Sequence, residues 1–166
     1  EAMMHDGKSL QAGTSHYLGQ NFAKAFNMKF LDKDGQHKLG YSTSWGTSTR
    51  MIGALIMAHG DQRGLVLPPV VAPIQAVVIP IAYSKGGVME RAEELTAQLK
   101  AAGVRVELDT RDNSPGWKFN EWEMKGVPVR IELGPKDIEN GVVTLARRDT
   151  LEKFTLSIGE IAERIP

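Results

Sequence analysis

From Gly64 to Ser84 the chain carries no charged side chain, yet Pro68, Pro69, Pro73 and Pro80 interrupt the run. An uncharged stretch of this length could cross a membrane as a helix. Each proline would remove a helical hydrogen bond and crowd the preceding turn, so an extended connector leading into a buried strand is the better reading. The connector splits the chain into residues 1–64, 65–73 and 74–166, a division stiffened by proline rather than loosened by glycine and serine.

With 166 residues, one good core or two small ones can form. Charged residues at 24% and hydrophobic ones at 42% are ordinary for a globular chain and exclude a disordered or fibrous one. The formal net charge of +0 provides no general electrostatic footprint for nucleic acid, so any RNA contact must be local. Cysteine is absent, which removes disulfides, thiolate ligands and cysteine nucleophiles and suits a reducing compartment. His5, His16, His37 and His59 show no H-E-x-x-H spacing, and no protein-held metal site is expected. Glu1 opens the chain without a methionine or a basic-then-apolar segment, so no signal peptide is visible and the beginning reads like the middle of something.

The first segment reads as strands and loops around one helix. "KFLDKDGQHKLGY" carries Asp34-Gly35 between two short runs, a hairpin signal, and "TSWGTST" is rich in strand formers. From Met51 to Gly60 the residues are apolar nearly all round, which predicts a buried helix. After the connector, "QAVVIPIA" suits a strand covered on both faces. Val88, Ala92, Leu95, Leu99 and Ala102 then mark an amphipathic helix stopped by Gly103, and "VRVEL" completes a βαβ unit. Ser114-Pro115 caps a second helix that Gly126 closes. "VPVRIEL" alternates Val129, Ile131 and Leu133 against Arg130 and Glu132, and Asn140-Gly141 is expected to turn it into "VVTLARRD" as a hairpin. Ser157 and Glu160 have the spacing of a capping box for a closing helix. The expected architecture is therefore an antiparallel α+β piece followed by an α/β domain with a mixed sheet and about three helices.

No glycine-rich phosphate loop of the G-x-x-x-x-G-K-S/T or G-x-G-x-x-G kind occurs, and "SKGGVMER" reads as an ordinary strand-to-helix turn. "LQAGTSHYLG" crowds Gln11, Thr14, Ser15 and His16 around a glycine, either as a binding turn or as a solvated Ser/Thr turn. Arg50 follows Gly46, Thr47, Ser48 and Thr49, small residues that would let a flat ligand approach the backbone. Its guanidinium could fork onto phosphate oxygens or pair with a nearby carboxylate at the helix start. "GWKFNEWEMKG" sets aromatics beside Lys118, Glu121, Glu123 and Lys125, where they could stack on unpaired bases or lie in the core. Arg130, Lys136 and Asp137 are the better base-edge candidates, since Arg and Lys donate to guanine O6 and N7 and a carboxylate accepts from its amine; a solvated sheet face is the bland alternative.

Taken in order, "LQAGTSHYLGQNFAKAF", "TSWGTSTRMIGALIMAHGDQRGLVLPP", "APIQAVVIPI" and "PGWKFNEWEMKGVPVRIELGPKD" resemble prolyl-tRNA synthetase of the archaeal and eukaryotic type. The resemblance covers essentially the whole chain. Its Trp-Gly-x-x-x-Arg strand entering a helix resembles motif 3 of class II synthetases, and the Gly-Trp-Lys-Phe block resembles this family's anticodon-binding domain rather than that of the threonyl, histidyl or glycyl enzymes. The resemblance implies a truncated antiparallel catalytic sheet over residues 1–64 and an anticodon-binding domain over 74–166. It makes Arg50 the arginine on the terminal phosphate of ATP, with Ser48 beside it where relatives often have threonine. Gln11 and Thr14 match ATP contacts, Gln11 through magnesium, and His16 matches a residue lining the proline pocket. Glu123, Arg130, Lys136 and Asp137 match positions that read the guanines of the proline anticodon.

The implied ligands are ATP with Mg, proline and tRNA(Pro), with no tightly bound cofactor, no DNA and no membrane, in a cytoplasmic enzyme that is a homodimer at full length. Motifs 1 and 2 would lie upstream of Glu1, and a further C-terminal domain, often with zinc-binding cysteines, would follow Pro166. The alternative is a non-catalytic RNA-binding module derived from such a synthetase. On the enzyme reading, the 166-residue chain alone is expected to show no proline-dependent ATP–pyrophosphate exchange; measurable exchange with the purified chain would overturn that expectation.

Overall fold

The computed structural model describes residues 1–82, 84 and 86–165. Lys85, the cation of the "SKGGVMER" turn, lies outside the described residues. The chain forms two compact units, Glu1–Ala58 and His59–Pro166.

The first unit contains strands β1 (Ala2–Met3), β2 (Ser9–Leu10) and β3 (Gly13–Gly19), helix α1 (Asn21–Ala25), strands β4 (Lys29–Leu31), β5 (His37–Leu39) and β6 (Ser42–Thr47), and helix α2 (Arg50–His59). The strands make three separate two-stranded antiparallel sheets, β1 with β2, β3 with β6 and β4 with β5. The expected hairpin around Asp34-Gly35 is β4–β5, with Gly35 at φ +75° and Lys38 paired to both Asp32 and Asp34. Short α1 has no counterpart in the sequence reading, because a five-residue helix is too brief for a periodic signal.

Helix α2 corrects an expectation. Only Ala54 is buried, while Met51, Ile52, Ile56 and Met57 are exposed. An all-apolar helix is buried only where layers exist to cover it, and within this unit two-stranded ribbons supply no continuous sheet to do so.

The second unit contains β7 (Ala76–Pro80), α3 (Val88–Ala101), β8 (Val106–Leu108), α4 (Pro115–Met124), β9 (Val129–Leu133), α5 (Pro135–Glu139), β10 (Val142–Arg147), β11 (Lys153–Ser157), a 3₁₀ turn (Ile158–Glu160) and α6 (Ile161–Arg164). It is an α/β unit around one mixed sheet ordered β11-β10-β9-β7-β8. The pairs β7–β8 and β7–β9 are parallel, and β9–β10 and β10–β11 antiparallel. Every residue of β7 is buried, as its unbroken apolar run requires. One face packs Ala76, Val78, Ile131, Leu133 and Leu145 against Ala92, Leu95 and Leu99 of α3 and Ile161 of α6. The other packs Val77 and Ile79 against Trp122 of α4.

Helix α3 ends in a Schellman motif: Gly103, at φ +86°, donates to the Lys100 carbonyl and Val104 to that of Leu99. Helix α4 starts as read, with the Ser114 hydroxyl accepting from Trp117 N–H and Pro115 in the first turn. Three details differ from expectation. Among the described residues four α-helices occur here rather than about three, because β9 and β10 are joined not by a tight Asn-Gly hairpin but through α5, whose start is closed by Asp137 accepting from Gly134 N–H at 2.8 Å. Gly141 then serves as the left-handed stop after α5, at φ +66°. Ser157 makes no side-chain cap, and α6 is led in by a 3₁₀ turn that buries Ile158 instead. Strand β11 also escaped the reading, since the 148–152 turn contains neither Asn-Gly nor Asp-Gly and reverses through Leu151 at φ +62°.

Asp109, immediately after β8, joins α4 to the sheet. Its backbone N–H donates to Val78 O at 2.9 Å, continuing the ladder with β7. Its carboxylate is fully buried and accepts from Trp122 Nε1 at 2.7 Å and from Arg111 Nε and Nη2 at 3.0 and 2.7 Å. Lys118, itself buried, donates to the Asp109 carbonyl at 3.1 Å. Burial alone would raise the Asp109 pKa; the hydrogen bonds from Arg111 and Trp122 outweigh it and hold the carboxyl well below the usual range.

The proline connector lies against this unit. Leu65 N–H donates to Met124 O and Leu67 N–H to Gly126 O, so the chain runs over the C-terminal end of α4. Arg105 donates Nε to Ala72 O at 2.9 Å and Nη2 to Pro69 O at 2.7 Å. Asp61 closes the entry, accepting from both terminal nitrogens of buried Arg148 at 2.8 and 2.6 Å.

Two substitutions test this packing. At Gly126, φ is +74° and an added Cβ would sit 2.5 Å from Leu65 Cβ. Gly126→Ala is expected to cost more than the roughly 1–3 kcal/mol of a left-handed non-glycine residue, read from urea denaturation, whereas Gly141→Ala, with nothing within 4 Å, should cost only the backbone part. Asp109→Ala leaves the Trp122 N–H without its acceptor and takes the carboxylate 3.8 Å from buried Lys118, which keeps only the backbone carbonyl, so it should cost about 3–5 kcal/mol at pH 7. Because the folded pKa is depressed, this contribution is present above the unfolded value of about 4 and lost as pH falls through the folded one, so the deficit of the variant should shrink in acid.

Candidate functional site

Two groups of candidate residues lie in different units. In the first unit, β3 and β6 pair so that Thr14 faces Gly46 and His16 faces Ser44. Gly46 has no side chain at the position opposite Thr14, which leaves a flat floor; a Cβ there would touch Thr14 Cγ2 at 3.5 Å. Beside it is an open concavity of about 290 Å³ bordered by Gln11, Thr14, Gly46, Thr47, Ser48 and Arg50. Thr47 Oγ1 donates to Ala12 O, fastening the two margins together. Arg50 begins α2, its N–H donating to Ser48 Oγ at 3.3 Å, and its Nη1 donates to Gln11 Oε1 at 3.2 Å. The partner of Arg50 is thus a neutral amide, not the carboxylate of the bland reading, and the guanidinium keeps its charge uncompensated by that contact. Thr14 Oγ1 and His16 Nε2 share a hydrogen bond at 3.3 Å, although His16 does not border the concavity.

In the second unit, alternation along β9 turns Arg130 and Glu132 away from the main core. Register adds Thr144 opposite Glu132 and Lys153 across Ala146 from Arg130, so these side chains share one face. The Arg130 guanidinium lies over the Phe119 ring, 4.2 Å from its centre, and its Nε donates to Glu132 at 3.0 Å. Lys153 Nζ reaches the same carboxylate at 2.9 Å. Glu123, on α4, is 3.9 Å from Arg130 Nη1 and accepts from Arg63 Nη1 at 2.7 Å. Between them is a hollow of about 120 Å³.

Glu123 and Arg130 are therefore neighbours. Lys136 and Asp137 sit beyond the C-terminal end of β9, on α5, connected to the same face through Thr144 Oγ1, which donates to Asp137 Oδ1 at 3.4 Å. One Asp137 oxygen is engaged in capping α5, and Lys136 is exposed. Of the two tryptophans on α4, Trp122 is core and Trp117 is half exposed beneath Arg111. Glu132, Lys153 and Arg63 were not among the candidates, and Phe119 entered only as one of the aromatics of "GWKFNEWEMKG". Glu132 could have been found from its place on the polar face of "VRIEL", but Arg63 and Lys153 reach the site only through long-range packing that leaves no local signal. Among the described residues no group of three or more His, Asp or Glu side chains could hold a metal ion, and no helix is long and apolar enough to cross a membrane.

The family model described as "Anticodon binding domain" matches residues 75–166. Over its whole length the chain is similar to proteins named proline--tRNA ligase. That of Symbiobacterium thermophilum is 61% identical over 167 residues, covering 99% of this chain and 34% of that protein. Proline--tRNA ligase 2 of Clostridioides difficile (strain 630) is 63% identical over 166 residues, covering 99% of this chain and 34% of that protein. For Lachnospira eligens the figures are 59% over 166 residues, with 100% of this chain and 35% of that protein. The chain spans about a third of the length of these relatives. With more than half of its residues matched, over the segment that contains both Glu123 and Arg130, the chain belongs to the anticodon binding domain family.

Proposed function

We propose that this chain is the anticodon-reading part of a proline–tRNA ligase together with part of its ATP site. The observation that carries the proposal is the partly buried polar face where a donor fork, Arg130, and an acceptor, Glu123, stand 3.9 Å apart on a domain of the anticodon binding family. Guanine presents acceptors at O6 and N7 and a donor at its exocyclic amine, so one such pair can address both kinds of edge. A chain of formal net charge +0 would bind RNA locally, through this face, rather than by bulk attraction. Lys136 and Asp137 extend the same reading surface, and the partner is tRNA(Pro).

In this reading, residues 1–64 are part of a class II catalytic domain with its antiparallel sheet, 65–73 the connector and 74–166 the anticodon-binding domain. Gln11, Thr14, Ser48 and Arg50 would contact ATP, and His16 would border the proline pocket. The reaction joins the proline carboxylate to the α-phosphate of ATP, releasing pyrophosphate, and then passes the prolyl group to a tRNA ribose hydroxyl, releasing AMP. The task of Arg50 is to neutralise phosphate charge while the small floor around Gly46 admits the base, so the residues work by positioning and electrostatics. The Gln11 amide oxygen fits as one oxygen ligand for Mg held mainly by substrate phosphates. The enzyme would act in the cytoplasm, as a homodimer, without a resident cofactor and without DNA or membrane as partner.

The test is the affinity of the chain for a proline tRNA transcript and for one with its anticodon guanines replaced. The intact anticodon should bind at least tenfold more tightly, matching the roughly 1–3 kcal/mol of a bidentate contact. Arg130→Ala should abolish that preference while leaving the salt slope of the weaker complex nearly unchanged. Equal affinity of the unaltered chain for both transcripts would overturn the proposal.

A further inference from the structure

Arg130 and Glu123 have opposite charges and stand within 4 Å, at a distance where they would neutralise one another if either were free to move. A closed pair would silence a donor and an acceptor at once. The structure holds them as a loose ion pair at 3.9 Å, too long for a hydrogen bond. Glu132, two residues along β9 and only 7% exposed, takes Arg130 Nε at 3.0 Å, while the Phe119 ring fixes the guanidinium plane from one side. On the other flank, Arg63 holds Glu123 at 2.7 Å. Each member of the reading pair thus has its own nearer counter-ion, and among the described residues the terminal nitrogens of Arg130 make no hydrogen bond.

We infer that Glu132 is a positioning residue for base recognition: by holding Arg130 at Nε, it keeps the guanidinium fork from closing its loose ion pair with Glu123 into hydrogen bonds, so that the fork can turn to a guanine. The inference rests on the proposed anticodon-reading function of this face. A buried carboxylate in a mid-sheet strand is costly unless paired, and here Lys153 supplies a second cation at 2.9 Å, so the carboxylate is charge-compensated before any RNA arrives. The site is then preorganised in the sense that the rotamer of Arg130 is set by neighbours that do not touch the base.

Glu132→Gln retains the shape and removes the charge. With its holder weakened, Arg130 should swing to Glu123. The expected result is a loss of about tenfold or more in the preference for the intact anticodon, with affinity for the guanine-replaced transcript within threefold of the unaltered chain. The double variant Glu132→Gln/Arg130→Ala should show no smaller preference than Arg130→Ala alone, because both changes remove one contact. A purely structural role would instead lower affinity for both transcripts together. An unchanged preference in Glu132→Gln, alongside a collapsed one in Arg130→Ala, overturns the inference and leaves the anticodon reading standing. An unchanged preference in Arg130→Ala overturns both. Should Glu132→Gln fail to fold by circular dichroism, Glu132→Asp keeps the charge but draws it back by one methylene from Arg130. A retained preference in that variant overturns the inference, and a reduced one supports it.

Discussion

The second unit depends on a carboxylate in its interior. Asp109 is placed where the ladder between β8 and β7 ends, and it gathers Trp122, Arg111 and Lys118 from the helix and loop above. A buried charge of this kind is tolerable only when its lone pairs are satisfied, and here satisfaction sets the location of α4 on the sheet. Since α4 carries Phe119 and Glu123, the placement of both against β9 follows from a contact in which neither takes part. Helix and strand then agree to within a hydrogen bond on where the polar face lies.

That polar face combines strong local charge with near neutrality. Glu123, Arg130, Glu132, Lys153 and Arg63 contribute two negative and three positive charges within one patch, most of them cross-paired. Such a patch exerts little attraction at a distance and distinguishes partners by the arrangement of donors and acceptors. A chain balanced at twenty acidic and twenty basic side chains is consistent with recognition by edge rather than by bulk charge.

Much of the second unit was legible because its local rules agree with its packing. The αL glycine after α3, Ser114-Pro115 before α4 and the alternation of β9 are each strong short-range signals, and all three appear as read. What escaped was set elsewhere. Helix α5 was hidden behind an Asn-Gly pair whose glycine ends a helix instead of turning a hairpin, and β11 pairs through a turn with no distinctive residues. In the first unit the period of α2 was read correctly and its burial was not, because burial depends on what surrounds a helix and two-stranded ribbons surround little. In the candidate site, Arg130 is a candidate from residue type and place and Glu123 from the resemblance, whereas their neighbourhood, and Arg63's entry through a salt bridge, come from packing between distant parts of the chain.

The connector contains an imbalance of another kind. Prolines 68, 69 and 73 contribute carbonyls but no amide hydrogens, so the segment is rich in acceptors and poor in donors. One guanidinium corrects the deficit: Arg105 offers its hydrogens to the carbonyls of Pro69, Val70 and Ala72, while Gln75 adds a further donor to Pro69. The stiffness of this segment is therefore not a property of its prolines alone. It is shared with an arginine on the far side of a helix in sequence, and a lysine there, with a single donating centre, could not span the same three oxygens.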